Sequence, residues 1–190
     1  MFIRHELSEG DLERRLNYSR WLLEMYTNPN FMAKIVIGDE AGFAMNGRVN
    51  THNVAHYAPK GQPPDFTFDV SSSRVKVTVW AALCGNGNIL GPHFFDENVN
   101  GERYLEMLND SVLPEMNLLY NFNLFANNRF EDEVWWFQDG APCHQRRIVA
   151  ERLRELFGNQ VIALRQEREW PPRSPDLTPC DFFSVGLYQR

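Results

Sequence analysis

Apolar residues recur along this chain in two rhythms. In SEGDLERRLNYSRWLLEMY (8–26) they fall three and four apart, and Leu12, Leu16, Leu23 and Tyr26 can share one helical stripe. Ser8 is placed as N-cap, with Asp11 three residues on to complete an approximate capping box, and NPN (28–30) ends the helix. KIVIGDE (34–40) is different: Ile35-Val36-Ile37 is short, apolar and β-branched, which predicts a central strand running into Gly38, Asp39 and Glu40. VKVTVWAALCGNGNILGPHFF (75–95) reads as two strands joined at GNGN. VWWFQ (134–138) and QVIAL (160–164) read as two more strands. The helical period returns in NGERYLEMLNDSVLPEMNLL (100–119), bent or broken before Pro114. It returns again in QRRIVAERLRELFG (145–158), with Ile148, Val149, Leu153, Leu156 and Phe157 inward and Gly158 as the stop.

The segments between these runs are polar or rich in glycine and proline. Asn46-Gly47 in GFAMNGRVN suits a type I′ hairpin turn. Residues 51–73 form a long irregular connection with Pro59, Gly61, Pro63 and Pro64, of a length that is usually functional or mobile. Residues 121–133 form a polar loop, and EWPPRSPDLTPCDFF leads to a final helix start near Thr178. The resulting order predicts a mixed α/β fold, an antiparallel portion followed by βαβ units.

Composition narrows this picture. A chain of 190 residues with 43% hydrophobic content suits one domain with a substantial core. A net charge of −6 argues against a free-standing grip on nucleic acid, but not against a site that meets nucleic acid through metal ions. Cys84, Cys143 and Cys180 include no CxxC pair, and a reduced intracellular protein is the plain reading. No apolar run approaches a membrane span, the N-terminus lacks a signal-peptide core, and no basic run reads as a nuclear signal.

The candidate chemistry lies in acids at element ends. Asp39 ends the first strand and Asp139 the fourth. Ligands of open α/β sheets gather beyond the carboxyl ends of adjacent strands. Two carboxylates there repel unless a cation joins them, and oxygen donors favour Mg²⁺ or Mn²⁺. A third acid comes from SPDLTPCDFF (174–183). With Thr178 as N-cap and Pro179 in the first helical position, Asp181 falls in the first turn, where the helix dipole favours its charge. Asp176 is the better turn former and Asp181 the better ligand. Taken singly, each acid is as well explained by a turn or a cap.

GDEAGF, QDGAPCH and WPPRSPDLTPCDFF together resemble the catalytic domain of mariner-type DDE/D transposases, and RHELSEGDLERRLNYSRWLLE resembles the segment that precedes it in insect-type members. The resemblance runs from about residue 4 to residue 183. It implies a ribonuclease-H-like fold, a mixed five-stranded sheet flanked by helices, over residues 31–190 after a helical segment at 1–30. It matches the family's three catalytic and metal-holding acids to Asp39, Asp139 and Asp181, with 41 residues between the last two, a longer gap than in many relatives. It implies two Mg²⁺ or Mn²⁺ ions bracketing a scissile phosphate, hence DNA cleavage and strand transfer as in DNA transposition and integration. It also implies DNA as partner, a homodimer, no membrane, and a nuclear location.

Other residues carry weaker signals. Glu40 should point to the opposite side of the strand from Asp39 and reads as structural. His144 contacts metal or substrate, or else anchors the turn after Pro142. Zinc at His52 and His56 is disfavoured, because no cysteine accompanies them. Arg146, Arg147, Arg152 and Arg154 either touch DNA phosphate or, since Glu151 and Glu155 interleave with them, form a solvated helix face. Trp135, Trp136 and Phe137 read as core. Loop 51–68 resembles the position of the family's clamp loop, or is a surface loop. The family's paired helix-turn-helix modules have no counterpart here, so sequence-specific DNA binding is not expected. FFSVGLYQR stands where the family commonly has FFLWG and a long helix, which leaves nine residues after Asp181 and weaker support for the third ligand. Two classes remain: a metal-dependent DNA nuclease or strand transferase, and a non-catalytic remnant acting as an interaction domain.

Overall fold

The computed structural model describes residues 7–28, 30–44, 76–120, 130, 134–174 and 177–180. Helix α1 (Glu9–Tyr26) opens on a full capping box: Ser8 Oγ accepts from the Asp11 amide, and the Asp11 carboxylate accepts from the Ser8 amide. Strand β1 (Ile35–Ala44) follows, then β2 (Lys76–Cys84) and β3 (Ile89–Phe95), the pair joined at residues 85–88 as the sequence predicts. Helix α2 (Gly101–Met107) passes through a π-helical stretch at Leu108–Val112 into α3 (Leu113–Tyr120). The irregularity falls directly before Pro114, where a missing amide and ring clash disturb the helical ladder. Strand β4 (Trp135–Phe137), helix α4 (Arg147–Phe157) and β5 (Val161–Ile162) complete the described elements. Gly158 ends α4 with φ +58°, a conformation that glycine adopts without strain. The Asn46-Gly47 turn, His52, His56 and the 51–73 connection lie outside the described residues, as does the 121–133 loop apart from Phe130.

The five strands form one sheet in the order β3-β2-β1-β4-β5. β1 runs antiparallel to β2, and β2 to β3; β4 runs parallel to both β1 and β5. β1 is therefore the central strand, and it is longer than the apolar run suggests. It continues past Asp39 to Ala44 because β2 offers ladder partners that far.

Alternation sends the sheet's side chains to two cores. Val36, Trp80 and Trp136 face α2, α3 and α4, where the Trp136 ring stacks 5.2 Å from Phe157 and 6.1 Å from Trp80. Ile35, Ile37, Trp135 and Phe137 face the other way, against Tyr18, Trp21, Leu22 and Met25 of α1, and Trp170. This corrects the expected face of α1. Leu12, Leu16, Leu23 and Tyr26 are between 50% and 70% exposed, while Asp11 and Tyr18 are buried. The sheet takes the aromatic side of the helix, which buries more area per residue. Asp11 tolerates burial because it pairs with Arg14 at 3.0 Å and Arg173 at 3.2 Å. In α4, Val149, Leu153, Leu156 and Phe157 are buried as expected, but Ile148 lies at the edge of the stripe and is 37% exposed.

Candidate active site

The parallel ladder fixes the site. Ile35, Val36 and Ile37 pair with Trp135, Trp136 and Phe137, after which β4 ends and β1 goes on. Asp39 and Asp139 each lie two residues past the last pair, so they occupy equivalent heights at the carboxyl end of the parallel ladder. Asp39 does not end its strand, as the sequence suggested; it faces a gap opened by the end of its neighbour. Gly38, just before it, is required by packing: a Cβ there would lie 2.6 Å from Cζ2 of Trp80.

Both acids line a pocket of about 480 Å³. Its far wall is the WPPRS segment, Trp170 to Ser174, with Thr178 beyond. Arg15 of α1 donates to Ser174 Oγ, which donates in turn to the Pro172 carbonyl at 3.0 Å. Pro179 and Cys180 are helical, in keeping with a helix start near Thr178, and the Cys180 thiol donates to the Ile37 carbonyl at 3.5 Å. Cys180 of the third motif is thus brought against β1 at Ile37, two residues before Asp39. Asp176 and Asp181 themselves lie outside the described residues.

Asp39 Oδ1 accepts from the Glu40 amide at 2.8 Å. Asp139 Oδ1 accepts from the Ala141 amide at 2.9 Å and from His144 Nδ1 at 2.8 Å. The opposite ring nitrogen, Nε2, lies 3.0 Å from Glu40 Oε1. A single imidazole therefore joins the end of β4 to β1. Glu40 follows Asp39 on the strand, yet it lines the same pocket and is linked to Asp139 through His144. The sequence reading of Glu40 as purely structural missed this link. The available signal was a histidine five residues after Asp139, close enough in the turn to fold back on it.

Burial works against charge on His144, but Tyr104, Asp139, Cys143 and Glu40 around it more than offset that and raise its pKa well above the ordinary value. Burial likewise works against the Asp139 carboxylate. The His144 hydrogen bond and charge, with the Ala141 amide, hold its pKa below the usual carboxylate value. The ring of Tyr104 lies 4.6 Å from that of His144. Its hydroxyl donates to Gln138 Oε1 at 3.0 Å, which also accepts from Trp136 Nε1 at 3.0 Å. This buried network ties the site to the core. The arginines of α4 are engaged: Arg147 with Glu151 and Arg152 with Glu155 along the helix, Arg152 also with Asn109, and Arg154 with Gln166 beyond β5. They make the solvated helix face that the charge pattern suggests.

A mixed sheet of this order, with helices on both faces, defines a ribonuclease-H-like domain. No protein-family model matches the chain. Over 186 residues it is 27% identical to mariner Mos1 transposase of Drosophila mauritiana, covering 95% of this chain and 48% of that protein. It is also 27% identical to the human histone-lysine N-methyltransferase SETMAR, covering 24% of that protein. The chain thus spans about half the length of the first relative and a quarter of the second. Among solved structures, a pre-cleavage Mos1 transpososome superposes with a TM-score of 0.71 at 26% identity, over 100% of this chain and 52% of that one. The Mos1 paired end complex with Mn gives 0.70 at 26%, with the same coverage. The isolated Mos1 catalytic domain gives 0.63 at 24%, over 99% of this chain and 76% of that one. By sequence and by structure, the chain is a homologue of mariner Mos1 transposase, matched over the catalytic domain.

Proposed function

We propose that this chain is a metal-dependent DNA-cleaving and strand-transferring domain, with Asp39, Asp139 and Asp181 as catalytic acids. The observation that carries this reading is the register of β1 and β4, which sets Asp39 and Asp139 side by side at the open end of a parallel ladder. Two carboxylates lining one pocket suit a hard divalent ion, and related Mos1 structures are complexes with Mg or Mn. Asp181 enters by its match to the third motif, whose preceding residue, Cys180, reaches β1 at Ile37. When bound, two Mg²⁺ or Mn²⁺ ions supply an activated nucleophile and charge stabilisation at the phosphate.

The chain's own groups prepare that site. His144 and the Ala141 amide hold Asp139 ionised and fix one of its oxygens. The β2 ladder holds the backbone of Asp39. Related Mos1 structures are paired-end complexes and a transpososome, so the partners proposed here are DNA and a second copy of the chain; a nuclear location is proposed on the family resemblance alone. With a net charge of −6, contact with phosphate depends on the ions rather than on a broad basic surface.

The test is plasmid nicking with Mn²⁺. Nicking by the wild-type chain that is lost in Asp39→Asn and in Asp139→Asn is expected. Equal nicking by all three would overturn the assignment.

A further inference from the structure

Behind the strand ends lies a second set of donors with different chemistry. Glu40, Cys143 and His144 bring a carboxylate oxygen, a sulfur and a ring nitrogen within 4.8 Å of one another. Cys143 is 9% exposed and His144 4%, and the Glu40 side chain 13%. The donors come from separate elements, Glu40 from the central strand and the other two from the turn between β4 and α4. Glu40 also lines the pocket, which gives an ion a way in.

The orientation of His144 points to a ligand. Its Nδ1 faces Asp139 Oδ1 at 2.8 Å, and its Nε2 faces Glu40 at 3.0 Å. Metal-binding histidines donate the far N–H to a carboxylate in this way, which fixes the tautomer and aims the other nitrogen at the ion. Thiolate, imidazole and carboxylate together form a borderline-soft set that selects Zn²⁺ over Mg²⁺ or Mn²⁺.

We propose that Glu40, Cys143 and His144 form a zinc-class cation site, distinct from the hard-ion site at Asp39 and Asp139 and joined to it through Asp139 as an outer hydrogen-bond partner. Binding displaces the proton between His144 Nε2 and Glu40 and the thiol proton of Cys143. Both protons leave to solvent, and water completes a four-coordinate ion. The ion bonds to S⁻, N and O⁻, with no redox change.

Cd²⁺ tests this directly, because a bound thiolate gives an ultraviolet charge-transfer band. The chain, stripped with chelator, is expected to develop that band at one equivalent of Cd²⁺, and excess Mg²⁺ should not remove it. Cys143→Ser abolishes the band, whereas Cys84→Ser and Cys180→Ser keep it. Glu40→Gln, which leaves every thiol in place, weakens binding about tenfold or more, and Asp139→Asn by about 10- to 100-fold through loss of the outer partner. Asp39→Asn keeps the band. Absence of the band in wild type, its survival in Cys143→Ser, or unchanged Cd²⁺ affinity in Glu40→Gln would each overturn the site. Loss of Mn²⁺-dependent nicking with the band intact would sink only the reading of Asp39 and Asp139. Circular dichroism of each variant separates ligand loss from unfolding.

Discussion

Asp39 and Asp139 stand at the same height on neighbouring parallel strands, each two residues beyond the paired Ile37 and Phe137. One acid belongs to a strand that continues and the other to a strand that has ended. That difference governs how each should respond to change.

Metal binding should couple to folding through this pair. Adding Mg²⁺ or Mn²⁺ relieves carboxylate repulsion and is expected to raise the melting temperature. Asp139→Asn should abolish most of the rise. Thermal unfolding with and without ion, in both proteins, is the measurement; equal rises would put the ions elsewhere.

Removing the bridge should be more damaging than removing an acid. His144→Asn leaves the Glu40 side chain, only 13% exposed, without its partner. The expected loss is about 3 kcal/mol, the low end for a broken buried pair, because the Asp139 side chain is 41% exposed. Urea unfolding reads this, and a loss under about 1 kcal/mol, the scale of a surface pair, would deny the bridge a structural role.

The same bridge sets a pH window. The folded pKa of His144 is raised, so its stabilisation is complete below the ordinary histidine value of 6.5 and disappears as pH rises through the folded value. The folded pKa of Asp139 is lowered, so its share is present above the ordinary 3.8 and disappears as pH falls through the folded value. Stability should therefore decline on the alkaline side in wild type and not in His144→Asn. Unfolding midpoints across a pH series would show parallel curves if the bridge were absent.

Gly38→Ala should destabilise the chain by about 1–3 kcal/mol, as overpacking does. Its new methyl would meet the Trp80 ring at 2.6 Å, and that ring is fully buried against Trp136. Pairing the change with Trp80→Phe should recover part of the loss, which denaturant titration of the double variant can measure.

The sheet was largely legible because its strands carry short apolar or β-branched runs, and GNGN marks the turn between β2 and β3. WWF could only be a buried strand, and its abrupt stop at Gln138-Asp139 marked the site. Helix α1 was legible as an element but not in its orientation. Its leucines and its aromatics both repeat at helical spacing, and only the Phe31 and Trp170 rings packed beside the sheet decide between them. Glu40 was misjudged for a related reason. Strand alternation states which side it faces, but not that a histidine 104 residues later will be there to receive it. Asp181 falls outside the described residues, so its place rests on the motif.

The continuation of β1 past Asp39 has a mechanical meaning. Asp39 is gripped mid-span by the antiparallel ladder of β2, from Val36–Cys84 through Ala44–Lys76. Asp139 hangs from a three-residue strand and a turn tied by the His144 ring, the Ala141 amide and the Gln145 side chain on the Gly140 carbonyl. The two jaws of the pocket are unequal, one an anvil and the other a sprung arm. Any change in the span between them is expected to come from the turn at 139–146, with the central strand serving as the fixed reference.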